Sequence, residues 1–258
     1  MLAIGTVESW ESYETVYIGF PIWYGCAPNV VNTSCKEYEY RIKGKQMDSV
    51  IVKRNELVSQ RVIKMLQSRH HEAYYAADKD SALQIALSLI PEGCTVSWGG
   101  GRSLQEIGLT DAVRAGNYHL IDRDRAETRE ERKKAEHQAL SADVFLMGTN
   151  AITEDGQLVN LDGIGNRVAA LCYGPESVIV IAGINKLAPD LEAAVSRVRH
   201  TAAPINAQRF PGNTPCRQYG VCGDCHNDDS ICSQLVVTRN SMVPGRIKVI
   251  LVGEPLGF

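Results

Sequence analysis

Apolar residues recur along this chain with two periods, which together predict alternating helices and strands between residues 48 and 205. Helical spacing is found in 50–69 and in the charged segment 126–140. Continuous apolar runs at 144–147 and 177–183 are typical of strands that are buried on both faces of a sheet. We therefore predict an α/β fold, with a mainly parallel open sheet and helices on both faces.

Shorter patterns complete the predicted order of elements. Further strands are expected at 74–76, 95–98, 118–122, 168–171, 235–238 and 247–253. Further helices are expected at 81–90, 103–114 and 190–200. A segment rich in Cys, Gly, Pro, Asn and Asp, residues 211–233, interrupts the alternation, so we expect a Cys-rich loop near the C-terminus.

A glycine-rich loop follows the strand predicted at 95–98, at the end of the strand where open α/β sheets bind ligands. Its residues are Gly99, Gly100, Gly101, Arg102 and Ser103. Glycine lets the backbone approach a ligand closely, and the next helix offers free N–H groups and the positive end of its dipole. Arg102 would add a charge-assisted hydrogen bond, so the loop suits a phosphate or carboxylate. A tight turn without a ligand explains the same pattern equally well.

A second polar loop, residues 148–163, follows a predicted strand and is expected to lie beside the first loop. Amide and carboxylate side chains crowd into it, and we predict that four of them bind a substrate: Asn150, Asp155, Asn160 and Asp162. Glu154 is the predicted catalytic carboxylate, since acid–base chemistry needs such a group near the reacting atom. The alternative is a surface hairpin in which the Asp-Gly pairs are turn residues.

Four cysteines of the 211–233 loop form a candidate metal site, namely Cys216, Cys222, Cys225 and Cys232. A C-x2-C pair with two flanking thiols can close a tetrahedral site around zinc or ligate an iron–sulfur cluster, and the spacing does not choose between them. His226 is an alternative ligand. Thiols without a metal are the competing interpretation.

The composition narrows the classes of function. The chain has 258 residues, of which 44% are hydrophobic, enough for a sizeable core, and its net charge is −3. A balanced charge argues against nucleic acid or an anionic membrane as a partner. No apolar run in the sequence approaches a membrane span and no signal-peptide pattern opens the chain, so we expect a cytoplasmic protein.

Residues 48–258 resemble the lactate-utilisation (LUD) domain family. The resemblance rests on TVSWGGGRSLQEIGL (95–109), ADVFLMGTNAITEDGQLVNLDGIGNRVAAL (142–171), SVIVIAGINK (177–186), TPCRQYGVCGDC (214–225) and PGRIKVILVGEPLGF (244–258). It implies the fold shared by ribose-5-phosphate isomerase, glucosamine-6-phosphate deaminase and CoA-transferase. It also implies a role in oxidising lactate to pyruvate, often as one component of an iron–sulfur-containing system. The family offers no assigned catalytic residue, and this chain carries one cysteine loop instead of two ferredoxin-type repeats.

The first 47 residues resemble a different family. YETVYIGFPIWYGCAPNVVN (13–32) is similar to a flavodoxin strand and the aromatic loop after it, in which Trp23 or Tyr24 would stack on the flavin. The sequence lacks the phosphate-binding loop and the rest of the flavodoxin sheet, so FMN binding is not expected. Because 47 residues cannot bury a core of their own, we interpret 1–47 as a flavodoxin-like remnant before a domain at 48–258.

Two functions fit these observations. In the first, the chain binds a small anionic metabolite between its two strand-end loops and serves lactate oxidation together with other lactate-utilisation subunits. In the second, it is a non-catalytic ligand-sensing or assembly subunit whose cysteine loop is a metal staple. A flavin electron carrier that acts through Trp23 and Tyr24 is a third hypothesis.

Overall fold

A six-stranded parallel sheet forms the centre of the fold in the computed structural model, which describes residues 48–258. The strands in chain order are β1 (Glu72–Ala76), β2 (Thr95–Trp98), β3 (His119–Ile121), β4 (Val144–Gly148), β5 (Ala151–Thr153), β6 (Leu158–Asp162), β7 (Ser177–Gly183), β8 (Leu187–Ala188), β9 (Gln234–Thr238) and β10 (Ile247–Val252). Six of them pair in the order β1–β10–β7–β4–β2–β3, and every pair is parallel. The predicted mainly parallel open sheet is confirmed.

Helices cover both faces of this sheet, as predicted. They are α1 (Ser49–Ser68), α2 (Lys79–Ser88), α3 (Arg102–Glu106), α4 (Leu109–Ala115), α5 (Arg129–Gln138), α6 (Asn166–Cys172), α7 (Leu191–Arg197), α8 (Ala203–Ala207) and α9 (Pro215–Tyr219). Alternate residues of β4 face opposite sides, so Leu146 packs with Ala82 of α2 and Phe145 packs with Val62 of α1. No helix within residues 48–258 is both long enough and apolar enough to cross a membrane.

A second sheet of four short strands was not anticipated from the sequence. Its order is β8–β5–β6–β9, in which β5 and β6 form an antiparallel hairpin and β9 runs antiparallel to β6. The hairpin corresponds to most of the polar loop at 148–163, so this loop is itself a structured element. Its two apolar positions Ile152 and Leu158 are completely buried in the core beneath α1, which fixes the register of the hairpin.

The turn of this hairpin packs directly against the backbone of α1. Gly156 has a φ of +87°, and a Cβ atom at that position would lie 2.7 Å from the backbone carbon of Met65. The two residues before Gly156 also form ion pairs: Asp155 pairs with Arg69, and Glu154 pairs with Arg61 at 3.5 Å. The hairpin turn is therefore docked on α1, away from the C-terminal ends of the parallel strands.

Three predicted elements are wrong in type or extent. The segment 168–171, predicted as a strand, is part of α6, where the buried residues Val168 and Leu171 lie on one face of the helix. Four residues are too few for helical spacing to be distinguished from strand spacing in the sequence. The helix predicted at 103–114 is divided into α3 and α4, because Gly108 adopts a left-handed conformation with a φ of +72°. The helix predicted at 190–200 ends as an α-helix at Arg197 and continues as a π-helical segment.

The N-terminal half of α1 is more exposed than its apolar pattern predicts. Val62 and Leu66 are buried, whereas Val50 is 73% exposed and Leu57 is 60% exposed. The polar residue Asn55 takes an inner position instead, where its amide donates a hydrogen bond to the carbonyl of Gly253 over 3.1 Å. This contact attaches α1 to the loop that follows β10.

We predict that Gly156→Ala destabilises the protein more than Gly93→Ala. Both glycines have a positive φ, but a Cβ at residue 93 would meet nothing within 4 Å, whereas one at 156 would strike the α1 backbone. We expect Gly93→Ala to lower the free energy of unfolding by about 1 kcal/mol because of backbone strain. Gly156→Ala should lower it by about 2 kcal/mol more because of the clash with α1. Urea unfolding followed by circular dichroism measures both losses. Equal losses would contradict the close approach of the turn to α1.

Candidate functional site

A cavity of about 690 Å³ opens at the C-terminal ends of the parallel strands. Both predicted loops line it, since the lining includes the whole of 99–103 as well as Asn150, Asp162 and Gly163. The loops touch each other, because a Cβ on Gly101 would lie 3.1 Å from the backbone nitrogen of Gly148. The structure thus brings together the glycine-rich loop and the two ends of the polar loop, residues 148–150 and 161–163, as their positions at strand ends led us to expect.

Arg167, near the N-terminus of α6, connects the parts of this site. Its guanidinium donates hydrogen bonds to the carbonyls of Gly148 and Leu161, at 2.8 and 3.0 Å, and to the side-chain oxygens of Asn150 and Asn160, at 2.9 and 2.8 Å. Its aliphatic part lies over Gly99, where a Cβ would come within 3.1 Å of the Arg167 Cγ atom. Sequence reasoning missed Arg167, although it is the basic residue that follows the polar loop directly.

Two of the predicted substrate-binding residues therefore hold Arg167. The Asn150 side-chain oxygen accepts from the backbone N–H of Leu161 as well as from Arg167. Asn160 is fully buried, and its Nδ2 atom has no hydrogen-bond partner within residues 48–258. The Asp162 carboxylate accepts from the backbone N–H groups of Arg167 and Val168, which caps the start of α6. Asn150, Asn160 and Asp162 thus hold Arg167 and the start of α6 in place at the cavity wall.

Lys186 is a second residue that sequence reasoning missed. It closes the 3-10 turn Ile184–Lys186 directly after β7, and it lines the cavity while remaining only 5% exposed. Its Nζ atom donates a hydrogen bond to the Ser103 hydroxyl over 2.8 Å. Burial, together with the positive charges of Arg197 and Arg167, lowers the pKa of Lys186 to about 7. An Ile-Asn-Lys sequence at the end of an apolar strand was the available signal.

Arg123 forms the opposite wall. Its guanidinium donates to Glu136 of α5 over 2.9 Å and lies over Gly100, where a Cβ would approach it to 2.6 Å. Its Nε atom is buried and has no hydrogen-bond partner in the part of the chain that the structure describes. Nearby, the Trp98 ring donates through Nε1 to Asp124 over 3.0 Å and packs against the Arg114 guanidinium at 5.3 Å.

The lining of the cavity is strongly positive. Seven basic side chains contribute to it: Arg102, Arg114, Arg123, Arg132, Arg167, Lys186 and Arg209. Three carboxylates oppose them: Asp124, Glu136 and Asp162. The protein as a whole carries a net charge of −3, so the positive charge is concentrated at this site. A concave site with excess positive charge attracts anions.

The predicted catalytic carboxylate lies elsewhere. Glu154 and Asp155 belong to the hairpin turn that docks on α1, where they pair with Arg61 and Arg69 and do not contribute to the lining of the cavity in residues 48–258. Hydrogen bonds from Thr153 and Gln157 and the charge of Arg69 lower the pKa of Asp155, against the effect of its partial burial. The side chains of the turn face α1 because Ile152 and Leu158 fix the register of the hairpin.

Two family models match this chain, and their matched ranges overlap. A model of the LUD domain matches residues 59–252. The chain belongs to the LUD domain family. A flavodoxin model matches residues 2–65, which extends beyond the predicted boundary at residue 47 and overlaps the LUD domain match at 59–65. The residues predicted to contact a flavin, Trp23 and Tyr24, lie outside the described residues.

Solved structures include a similar protein of the DUF162 family from Deinococcus radiodurans, at 14% identity and a TM-score of 0.46, covering 77% of this chain and 98% of that one. The eIF2B beta subunit from Chaetomium thermophilum matches at 19% identity and a TM-score of 0.33, covering 44% of each chain. The 5-methylthioribose 1-phosphate isomerase from Pyrococcus horikoshii OT3 matches at 16% identity and 0.30, covering 62% of this chain and 51% of that one. Among curated proteins nothing matches.

The cysteine loop of the LUD domain borders the cavity. Phe210 and Ile231 line it, and a Cβ on Gly163 would lie 3.6 Å from the Ile231 carbonyl oxygen. Burial and the neighbouring thiols of Cys216, Cys222 and Cys225 raise the pKa of Cys232 to about 11. Within residues 48–258, however, no three Cys, His, Asp or Glu side chains are close enough to hold a metal ion. The donor types suit a soft metal, whereas their present positions do not enclose one.

We predict that Arg167→Met destabilises the LUD domain far more than Arg102→Met. Methionine at 167 would remove one hydrogen-bond donor from each of two carbonyls and two side-chain oxygens, so we expect the free energy of unfolding to fall by about 3 kcal/mol or more. The Arg102 side chain lines the same cavity but is 52% exposed, and within residues 48–258 it pairs only with Glu106. We therefore expect Arg102→Met to lower the free energy of unfolding by less than about 1 kcal/mol. Chemical unfolding measures both. Similar midpoints would contradict the central position of Arg167.

Proposed function

We propose that this LUD domain binds a small anionic metabolite in the cavity at the strand ends and serves a system that oxidises lactate to pyruvate. The observation that carries the proposal is the excess of basic over acidic side chains around a cavity of about 690 Å³. That volume lies within the range of small-molecule sites. The family assignment supports a general role in lactate utilisation, and the charge of the cavity supports an anion as the ligand.

Three groups of ligands fit this chemistry: a hydroxy or keto acid, a phosphorylated sugar and a CoA-like molecule. All present carboxylate or phosphate oxygens, which arginine binds with paired N–H donors. The Nε atom of Arg123 makes no hydrogen bond within residues 48–258, although the Asp124 carboxylate lies 3.8 Å away, and a ligand oxygen that reached this donor would satisfy it. Arg102 lines the cavity and is half exposed, so its guanidinium is accessible to an anion that enters from solvent. Arg167 shapes the wall but has its donors engaged by the protein itself.

Binding is tested by thermal unfolding with lactate, pyruvate, ribose 5-phosphate and CoA in turn. We expect stabilisation by at least one of them, since a ligand that binds the folded state shifts the unfolding equilibrium. Arg102→Ala and Arg123→Gln should each weaken its binding about tenfold, as expected for the loss of one charge-assisted hydrogen bond.

Two variants outside the cavity serve as controls. Arg125→Gln changes an exposed arginine next to Arg123, and Glu154→Gln changes the residue of the hairpin turn. Both should bind the ligand as the unsubstituted protein does. Unchanged affinity in the two cavity variants would contradict the proposal, and a loss in Glu154→Gln alone would restore Glu154 as the functional carboxylate.

A second candidate function, a ligand-sensing or assembly subunit, is favoured by the position of the cysteine loop. Because Ile231 lines the cavity, a change in the cysteine loop would alter the ligand site, and binding of a ligand would in turn alter the loop. Cys216, Cys222, Cys225 and Cys232 are the residues that would hold a metal. An iron–sulfur cluster would supply electron transfer beside the cavity, whereas zinc would supply structural support.

Metal analysis separates the two candidates. We expect the protein purified without oxygen to contain a metal that Cys232→Ser loses and that the control Cys94→Ser retains. Iron with acid-labile sulfide and visible absorption would support the redox role. Zinc in a colourless protein would support the staple. A protein without either metal, in which Cys232→Ser changes nothing, would contradict both versions of the metal site.

A further inference from the structure

The amine of Lys186 is the reactive group of the cavity that the anion site does not require. It lies in the turn after β7, next to the Ser103 hydroxyl at 2.8 Å, and it is 5% exposed. A Cβ atom on Gly148 would be in van der Waals contact with the Lys186 Nζ atom at 3.7 Å and with the Ser103 oxygen at 3.6 Å. Lys186, Ser103 and Gly148 all line the cavity, so the amine is reached through it.

We propose that the Lys186 Nζ atom is a nucleophile that forms an imine with the carbonyl carbon of a 2-keto acid bound in this cavity. The inference rests on the anion site proposed above, because the basic side chains of the cavity would hold the carboxylate of the keto acid while its carbonyl meets the amine. A keto acid has both groups on adjacent carbons, so it matches a site in which one amine lies among guanidinium groups.

The charges around Lys186 favour the neutral amine that this reaction needs. Arg197 of α7 and Arg167 of α6 act against its protonation, together with burial, while Glu106 of α3 acts in favour of it. No carboxylate lies within 4.0 Å of its amine in residues 48–258, and the Ser103 hydroxyl is its hydrogen-bond partner. A lysine desolvated beside other cations is an established way to activate an amine. With a pKa of about 7, a large fraction of Lys186 is neutral at physiological pH.

The step balances without an added oxidant or reductant. The amine lone pair forms a C–N bond with the carbonyl carbon, and the carbonyl electron pair moves to its oxygen. Transfer of a proton from nitrogen to that oxygen gives a carbinolamine. A further proton taken from solvent joins the hydroxyl group, which leaves as water, so that the C–O bond breaks and a protonated imine remains. The Ser103 hydroxyl holds Nζ at the cavity wall, so Ser103 is a positioning residue. The imine then withdraws electrons from the adjacent carbon.

Reductive trapping with pyruvate tests the proposal on the full chain. The protein is incubated with pyruvate, treated with sodium cyanoborohydride and digested for peptide mass mapping. We expect the peptide that contains Lys186 to gain the mass of pyruvic acid less one oxygen atom, and trapping to increase as the incubation pH rises through about 7. Lysines elsewhere should remain unmodified, and lactate, which has no carbonyl group beside its carboxylate, should give no adduct.

Two variants control for folding and for nonspecific reaction. Lys186→Met removes the amine and should abolish the adduct, while Lys248→Arg changes a lysine that pairs with Glu72 outside the cavity and should leave it unchanged. Mapping of the unsubstituted protein decides the outcome even if Lys186→Met fails to fold. An adduct spread over several lysines, or none at Lys186, would overturn the proposal.

Thermal unfolding separates this failure from failure of the anion site. If pyruvate stabilises the unsubstituted protein but no adduct forms, the anion site stands and the imine is wrong. If pyruvate neither stabilises the protein nor forms an adduct, while another anion stabilises it, the keto acid is the wrong substrate class and the imine proposal fails with it. If none of the four anions stabilises the protein, the anion site fails as well.

Discussion

The buried guanidinium of Arg167 and the four oxygen atoms around it are the contact on which the architecture of the site depends. A charged group that leaves water must find partners in the protein, and here they come from β4, from Asn150 between β4 and β5, and from β6. Satisfying Arg167 therefore joins the six-stranded parallel sheet to the small four-stranded sheet. The absence of a side chain at Gly99 lets its aliphatic part pack against the glycine-rich loop.

This arrangement has an electrostatic consequence. The fold holds Arg167, Arg197 and Lys186 close together, so their positive charges repel one another. Of the three groups, the Lys186 amine loses its proton most readily. Arginine retains its proton under almost all conditions, whereas a buried lysine changes its pKa readily. The site thus combines fixed positive charge for an anion with one amine that is partly neutral. A carboxylate ligand would relieve some of this repulsion on binding.

The sequence allowed the fold class and the position of the site to be predicted because both depend on local patterns. The apolar run at 177–183 correctly predicted the strand β7, and the helical spacing at 50–69 correctly predicted the helix α1. Loops at the C-terminal ends of parallel strands meet at one edge of the sheet, which is why the position of the cavity was predictable. The segment 168–171 was predicted wrongly because four residues cannot distinguish the two periods. Asn150 and Asn160 were recognised as polar groups of the site, yet their hydrogen bonds to Arg167 depend on contacts across the hairpin.

By itself, then, the sequence determined the alternation of helices and strands, the LUD domain motifs and the strand-end loops, since each is encoded by neighbouring residues. Only the tertiary structure decided which charged side chains face the cavity. The register of the β5–β6 hairpin turns Glu154 toward α1, and the turn after β7 brings Lys186 to Ser103, 83 residues away along the chain. Burial and charge proximity arise between distant segments, and a pattern of neighbouring residues contains neither of them.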